Sequence, residues 1–230
     1  MNGTKIPNKD LISTYEEMGD EHILTSLETP MRPGAFDLTD EEKIAKIATH
    51  FEQIMDILGL DLTDDSLRGT PHRVAKMYVQ EIFSGLNPGN KPAAALFENK
   101  YQYNQMLVEK NILVQSTCEH HFLPIYGRCH VAYISNGYVI GLSKINRIVQ
   151  YFAKRPQVQE RLTMQILNEL KRVLKSEDVA IYIDAKHMCV SSRGIKDTSS
   201  STVTSAYSGK FEEDSTKKEF LATIQTALEM

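Results

Sequence analysis

The chain has 230 residues, 41% of them hydrophobic, and a formal net charge of −4. That is ample apolar material for a packed core, and it lacks the basic surplus that a nucleic-acid partner would demand. The 3 cysteines are too few for a disulfide scaffold. Met1 to Pro7 hold no apolar signal region, and no apolar run approaches the roughly 18 residues of a spanning helix, so a cytoplasmic protein with no membrane partner is expected.

Residues 1–37 are polar, carry Pro30, Pro33 and Gly34, and read as a loosely ordered arm. The rest, 38–230, divides near residue 100 into a helical part (38–100) and a part mixing strands and helices (101–230). Thr39 and Glu42 form a capping-box pattern, after which Ile44, Ile47, Ala48, Phe51, Ile54, Met55 and Leu58 recur at helical spacing up to Gly59. Thr70-Pro71 opens a second helix, with Val74, Met77, Tyr78 and Ile82 on one side. Arg73 and Lys76 lie close together there, by default a solvated basic face. Leu86 to Pro92 reads as a connection. Residues 106–117 and 124–135 then alternate as strands, followed by a short strand over 138–142. Helical spacing returns at Ser143 with Ile145, Ile148, Val149 and Phe152. After Pro156 a longer helix carries Val158, Leu162, Ile166, Leu170 and Val173. Val179 to Asp184 reads as a strand, Thr202 to Ser208 as another, and a C-terminal helix is expected from about Lys217. The order implies an α+β fold, an antiparallel sheet with two helices on one face, whose free edges call for oligomerisation.

Chemistry concentrates in Ser116-Thr117-Cys118-Glu119-His120-His121-Phe122 and in the distant Lys186-His187-Met188-Cys189. If the fold joins the two, Cys118, His121 and Cys189 form a three-ligand centre of the kind zinc prefers, with a fourth position open for water. A core cysteine beside surface histidines, or a Cys118–Cys189 disulfide, would also satisfy the pattern. Cys129 reads as a buried small hydrophobe. Lys144, Arg147, Lys154, Arg155 and Arg161 cluster within an acidic chain, which suits a small anion. Ser143, Lys144 and Arg147 open a helix directly after a strand, a natural seat for phosphate. Arg193 is tethered four positions after Cys189. Glu160, beside Gln159, has a carboxylate able to accept from the N1–H and 2-amino group of guanine. Singly, the lysine and arginines are more readily solvated charges and Glu160 a partner within its helix or for solvent; their joint presence beside the metal-type cluster is what favours the anion site.

The blocks Thr70-Pro71-His72-Arg73-Val74-Ala75-Lys76-Met77, Cys118-Glu119-His120-His121, Gly141-Leu142-Ser143-Lys144-Ile145-Asn146-Arg147, Arg155-Pro156-Gln157-Val158-Gln159-Glu160-Arg161-Leu162, and His187-Met188-Cys189 with Arg193-Gly194 resemble the GTP cyclohydrolase I family. The resemblance runs from about residue 38 to the end. It implies a T-fold (tunnelling fold) and a toroidal homodecamer with active sites at subunit boundaries. One Zn2+ per subunit would be held by Cys118, His121 and Cys189, activating water for attack on C8 of GTP. His187 would protonate N7, His120 would act at the ribose or assist proton transfer, and Ser143 would help at the ribose. Glu160 with Gln159 would recognise guanine, while Lys144, Arg147, Arg193, Arg73 and Lys76 would hold the triphosphate. The implied products are formate and 7,8-dihydroneopterin triphosphate, the opening of pterin and folate biosynthesis. Glu119 reads either as an orienter of a ligand histidine or as a charge partner in a neighbouring subunit. Zinc-dependent nucleobase deaminases are the nearest rival chemistry, but the Pro-Cys-x-x-Cys half of their signature is missing.

Overall fold

Regular structure begins at the capping box. In the computed structural model, which describes residues 26–226, the Thr39 hydroxyl accepts from the Glu42 amide and the Glu42 carboxylate accepts from the Thr39 amide. This reciprocal pair opens helix α1 (Asp40–Ile57) by satisfying two amides the helix cannot. Of the expected N-terminal arm, residues 1–25 lie outside the described residues, and 26–38 hold turns and extended chain but no helix or strand. Helix α2 (Thr70–Met77), with Pro71 in its first turn, packs on α1 and widens into a π-type turn at Tyr78–Ile82. Ile54, Ile57 and Leu58, at the end of α1, stay exposed.

The helical part is fastened to the rest through Gly85. Its amide donates to the Lys154 carbonyl at 2.9 Å, and the buried Arg155 donates from Nε to the Gly85 carbonyl at 2.8 Å. The Arg155 guanidinium lies over the Tyr151 and Phe152 rings, 4.6 Å from each centroid. A Cβ on Gly85 would overlap the Tyr151 carbonyl oxygen, so only glycine permits this approach.

Beyond the joint come β1 (Leu96–Glu98), β2 (Met106–Cys118), β3 (Pro124–Ile134) and β4 (Tyr138–Ile140). Helix α3 (Leu142–Ala153), the short strand β5 (Pro156–Gln157) and helix α4 (Gln159–Leu174) follow. Strand β6 (Val179–His187) runs into a single helical turn, α5 (Met188–Ser191), before β7 (Thr202–Ser208) and the C-terminal helix α6 (Asp214–Gln225). The main sheet has the order β5-β2-β3-β6-β7 and is antiparallel except for β5, which runs parallel to the end of β2. β1 and β4 form a separate antiparallel pair.

Strand periodicity sorts the core. Val131, Tyr133, Ile181 and Ile183 point to one face and pack with Ile145, Ile148 and Val149 of α3 and Leu162, Ile166 and Leu170 of α4. Ala132, Ile134 and Ala180 point the other way, into a smaller cluster with Phe211 and Phe220 of α6. The two expected helices do share one face, and α6 covers one end of the opposite face. Lys110 Nζ donates to the Thr226 carbonyl at 2.7 Å, neutralising the end of that helix. The remainder of this second face leaves Leu113, Tyr126 and Val203 exposed. No helix among the described residues is long and apolar enough to cross a membrane.

Gly85→Ala is expected to lower stability by about 1–3 kcal/mol through forced displacement of the Tyr151–Arg155 segment. A chemical-denaturation midpoint equal to that of the parent would show that this contact does not constrain the fold.

Candidate metal centre

The centre is built where two antiparallel pairings end together. Thr117 and Pro124 are the last partners of β2 and β3. The Cys118 amide then donates to the Leu123 carbonyl at 2.8 Å, and the Phe122 amide to the Cys118 carbonyl at 2.9 Å. This tight return puts Phe122 at φ 52°, a left-handed conformation unfavourable for an aromatic residue. Its ring packs against Phe83, with centroids 5.2 Å apart, which helps hold it there. On the other side β5 pairs with Thr117 and Cys118, and the Glu119 amide donates to the Gln157 carbonyl at 3.0 Å. Ile125 of β3 lies opposite His187 of β6, so the turn α5 delivers Cys189 to the same spot.

As a result the ligand atoms of Cys118, His121 and Cys189 all lie within 4.8 Å of one another. Cys118 is buried, Cys189 half-buried and His121 exposed. Cys118 Sγ is 3.9 Å from His121 Nδ1 and 3.8 Å from His120 Nδ1. Both cysteines carry free thiols, so the disulfide alternative is not realised. Burial, and then the neighbouring Cys118, push the Cys189 thiol pKa up against the opposing Arg193. A half-buried thiol pressed against a second sulfur resists ionisation until a cation is present, as at Cys189, and a divalent ion supplies that compensation. Two soft sulfurs and an imidazole therefore fit a metal ion of the zinc type. Cys129 is fully buried, and burial alone raises its pKa.

His187 is fixed by a directional network. Thr163 donates its hydroxyl to the Gln159 carbonyl at 2.8 Å, so its oxygen must accept from Thr204 at 2.7 Å. Thr204 then accepts from Gln159 Nε2 at 3.1 Å, and the same amide nitrogen donates to the Thr202 and Ile183 carbonyls at 2.8 and 3.3 Å. The Gln159 amide orientation is thereby set, and its Oε1 accepts from His187 Nε2 at 2.8 Å. The neutral ring consequently carries its proton on Nε2 and leaves Nδ1 free to take one. Burial lowers the His187 pKa, opposed by the charge of Glu160.

Gln159 is buried and spent on this network, whereas Glu160 is exposed beside it. Glu119 finds its partner within the chain: Arg161 NH1 and NH2 hold its two carboxylate oxygens, while His120 Nε2 stands 3.8 Å from Oε1. Arg193 NH1 donates to His121 Nε2 at 2.9 Å, placing that cation on the centre. Ser143, Lys144 and Arg147 are not brought there. Asn146, in the same first turn of α3, donates to the Glu109 carboxylate at 3.0 Å. Glu109 precedes Cys118 by nine positions on β2, roughly 25–30 Å at about 3.3 Å per residue. Arg147 instead lines a polar cleft with Gln80, Ser84, Asn90 and Lys154. Arg73 is engaged with the Ser66 carbonyl and Thr70, and Lys76 is exposed on α2.

Residues 47–225 match the family model described as GTP cyclohydrolase I. The chain is 63% identical to a protein named GTP cyclohydrolase 1 from Flavobacterium johnsoniae, covering 96% of this chain and 97% of that one. It is 56% identical to the protein of that name from Vibrio parahaemolyticus (85% and 89% covered) and 52% identical to that from Salmonella gallinarum (90% and 93% covered). A solved structure of an archaeosine synthase QueF-Like in the apo form overlaps 45% of this chain and 93% of its own, at 17% identity and a TM-score of 0.38.

Cys189→Ala is expected to reduce bound metal from about one ion per chain to near zero, with the far-ultraviolet circular dichroism retained. Elemental analysis showing undiminished metal in this variant would remove Cys189 from the ligand set.

Proposed function

This chain belongs to the GTP cyclohydrolase I family, and on that premise we propose that it is a zinc-dependent hydrolase converting GTP and water to 7,8-dihydroneopterin triphosphate and formate. The observation that carries the reading is the convergence of Cys118, His121 and Cys189 beside a buried, oriented histidine and an exposed carboxylate. When bound, zinc in such a three-ligand site supplies Lewis acidity that activates water near neutral pH.

The remaining work falls to the chain. Glu160 accepts two hydrogen bonds from the guanine edge. His187, with its Nε2–H committed to Oε1 of the Gln159 side chain, carries a proton at Nδ1 to and from N7 of the base. Gln159 thus acts by orienting His187. His120 sits 3.8 Å from the Cys118 sulfur, beside the centre, where it assists at the ribose. Arg193 holds phosphate. An arginine can only donate, so His121 Nε2 is its acceptor in the present arrangement. His121 would be drawn into the ligand set when the metal is held, and Arg193, whose present partner is that same ring, would then be available to the substrate phosphates.

Ser143, Lys144 and Arg147 reach a triphosphate only at the centre of a neighbouring copy, given their distance from Cys118 within one chain. We therefore assign them, with Arg73 and Lys76, to the phosphate seat of a composite site in a homo-oligomer, with the toroidal decamer as the assembly. The outer edge of β7, unpaired among the described residues, supports edge-to-edge joining of sheets. The free thiols suit a reducing cytoplasm.

Formate release from GTP, followed together with pterin fluorescence, tests the activity. Both signals should vanish on chelation and return with zinc. Tight GTP binding with no formate in the zinc-restored protein would overturn the assignment. For the composite site, His187→Ala and Arg147→Ala proteins should each be nearly inactive alone. After co-refolding, random assembly should restore about a quarter of the sites. No recovery in a verified mixed oligomer would place both residues in one subunit's site.

A further inference from the structure

We propose that Leu27 is a wall of the purine pocket, and that Arg161 is the positioning residue tying this wall to the metal loop. The inference rests on the reading that Glu160 takes the guanine edge. Glu160 lines a cavity of about 450 Å³ together with Ser26, Leu27, Val158, Arg161 and Met164. Leu27 is 87% exposed and Met164 42% exposed, so two large apolar side chains stand in water on the margins of a cavity whose polar side chains are Ser26, Glu160 and Arg161. Such surface is unfavourable by roughly 25 cal/mol per Å² until something apolar covers it. A planar base whose edge meets Glu160 would present its faces to these side chains. The carboxylate then reads the guanine edge, and the apolar wall selects for a flat ring.

The wall is held in place from beneath. Arg161 donates from Nε to the Ser26 carbonyl at 2.8 Å. Gln165 donates to the Glu28 carboxylate at 3.0 Å and to the Leu27 carbonyl at 3.5 Å. The other nitrogens of Arg161 grip both oxygens of Glu119, which lies between Cys118 and His120. The Arg161 side chain is only 4% exposed, so this guanidinium is committed to the two segments it joins. Seating of the base and placement of the metal loop therefore share one rigid fork.

The test compares KM, kcat, bound zinc and inhibition by inorganic triphosphate for Leu27→Ala, Leu27→Met, Arg161→Lys and Glu160→Ala in the full-length oligomer. Leu27→Ala should raise the KM for GTP about tenfold with less than a twofold fall in kcat. Its inhibition by triphosphate, which has no base, should not change, and Leu27→Met should restore KM to within about twofold. Arg161→Lys cannot span Glu119 and Ser26 together, so it should raise KM about fivefold and speed zinc loss. A parental KM in Leu27→Ala beside lost GTP binding in Glu160→Ala overturns the wall and leaves the guanine reading standing. A parental KM in Glu160→Ala removes the guanine reading and the wall with it. An equal rise in KM and in the triphosphate inhibition constant, or a change in sedimentation, makes Leu27 a packing or interface residue and overturns the proposal.

Discussion

The site depends on the way the last two residues of β2 are held. Thr117 and Cys118 are bonded to β3 on one side and to the short parallel strand β5 on the other. A central strand end is usually free to fray, but here the Cys118 and Glu119 amides both find carbonyl partners, Leu123 and Gln157. That double anchorage confines a turn in which Phe122 takes a left-handed backbone, and it presents Cys118 and His121 to the same side. Once the β3–β6 register is set, Cys189 can only arrive opposite them. The convergence of these three side chains is therefore a consequence of sheet register and not of a flexible loop closing on them.

Around this anchorage, buried polar groups supply rigidity where the apolar core ends. Arg161 and Glu119 are charges withdrawn from water, and removing one partner of such a pair leaves the other uncompensated at about 3–5 kcal/mol. The Thr204, Thr163 and Gln159 chain has no spare donor to reassign, and this fixes both an amide flip and a histidine tautomer. The α+β architecture, the T-fold of the family, thus delivers pre-oriented groups. The start of α3, which carries Ser143, Lys144 and Arg147, is displaced along β2 from Cys118, and the proposal of a composite site rests on that displacement.

Much of this was readable in the residues. Cys118 and His121 are close in sequence, and the strand leading to His187 and Cys189 alternates cleanly, so the convergence of the three residues and the main strands follow from local patterns. The reading failed where structure is too short to have a period. β1 is a three-residue strand inside the part read as helical, and β5 spans two residues, one of them the proline that reads only as a break between two helices. Sequence does not separate two adjacent helix positions: Gln159 and Glu160 both read as base contacts, whereas neighbours on a helix point about 100° apart, and in the fold Gln159 is buried while Glu160 is exposed. Arg161 appeared only as part of a basic cluster. Nothing local indicates that its partner is Glu119 or that its Nε reaches Ser26, because both contacts are made across the fold.

The central claim is that Cys118, His121 and Cys189 together hold zinc. X-ray absorption at the zinc edge of the purified, zinc-loaded protein tests it most directly. The account predicts two sulfur neighbours at about 2.3 Å and one imidazole nitrogen at about 2.0–2.1 Å, with a remaining light-atom position. A shell made only of nitrogen and oxygen, or one holding a single sulfur, would contradict it.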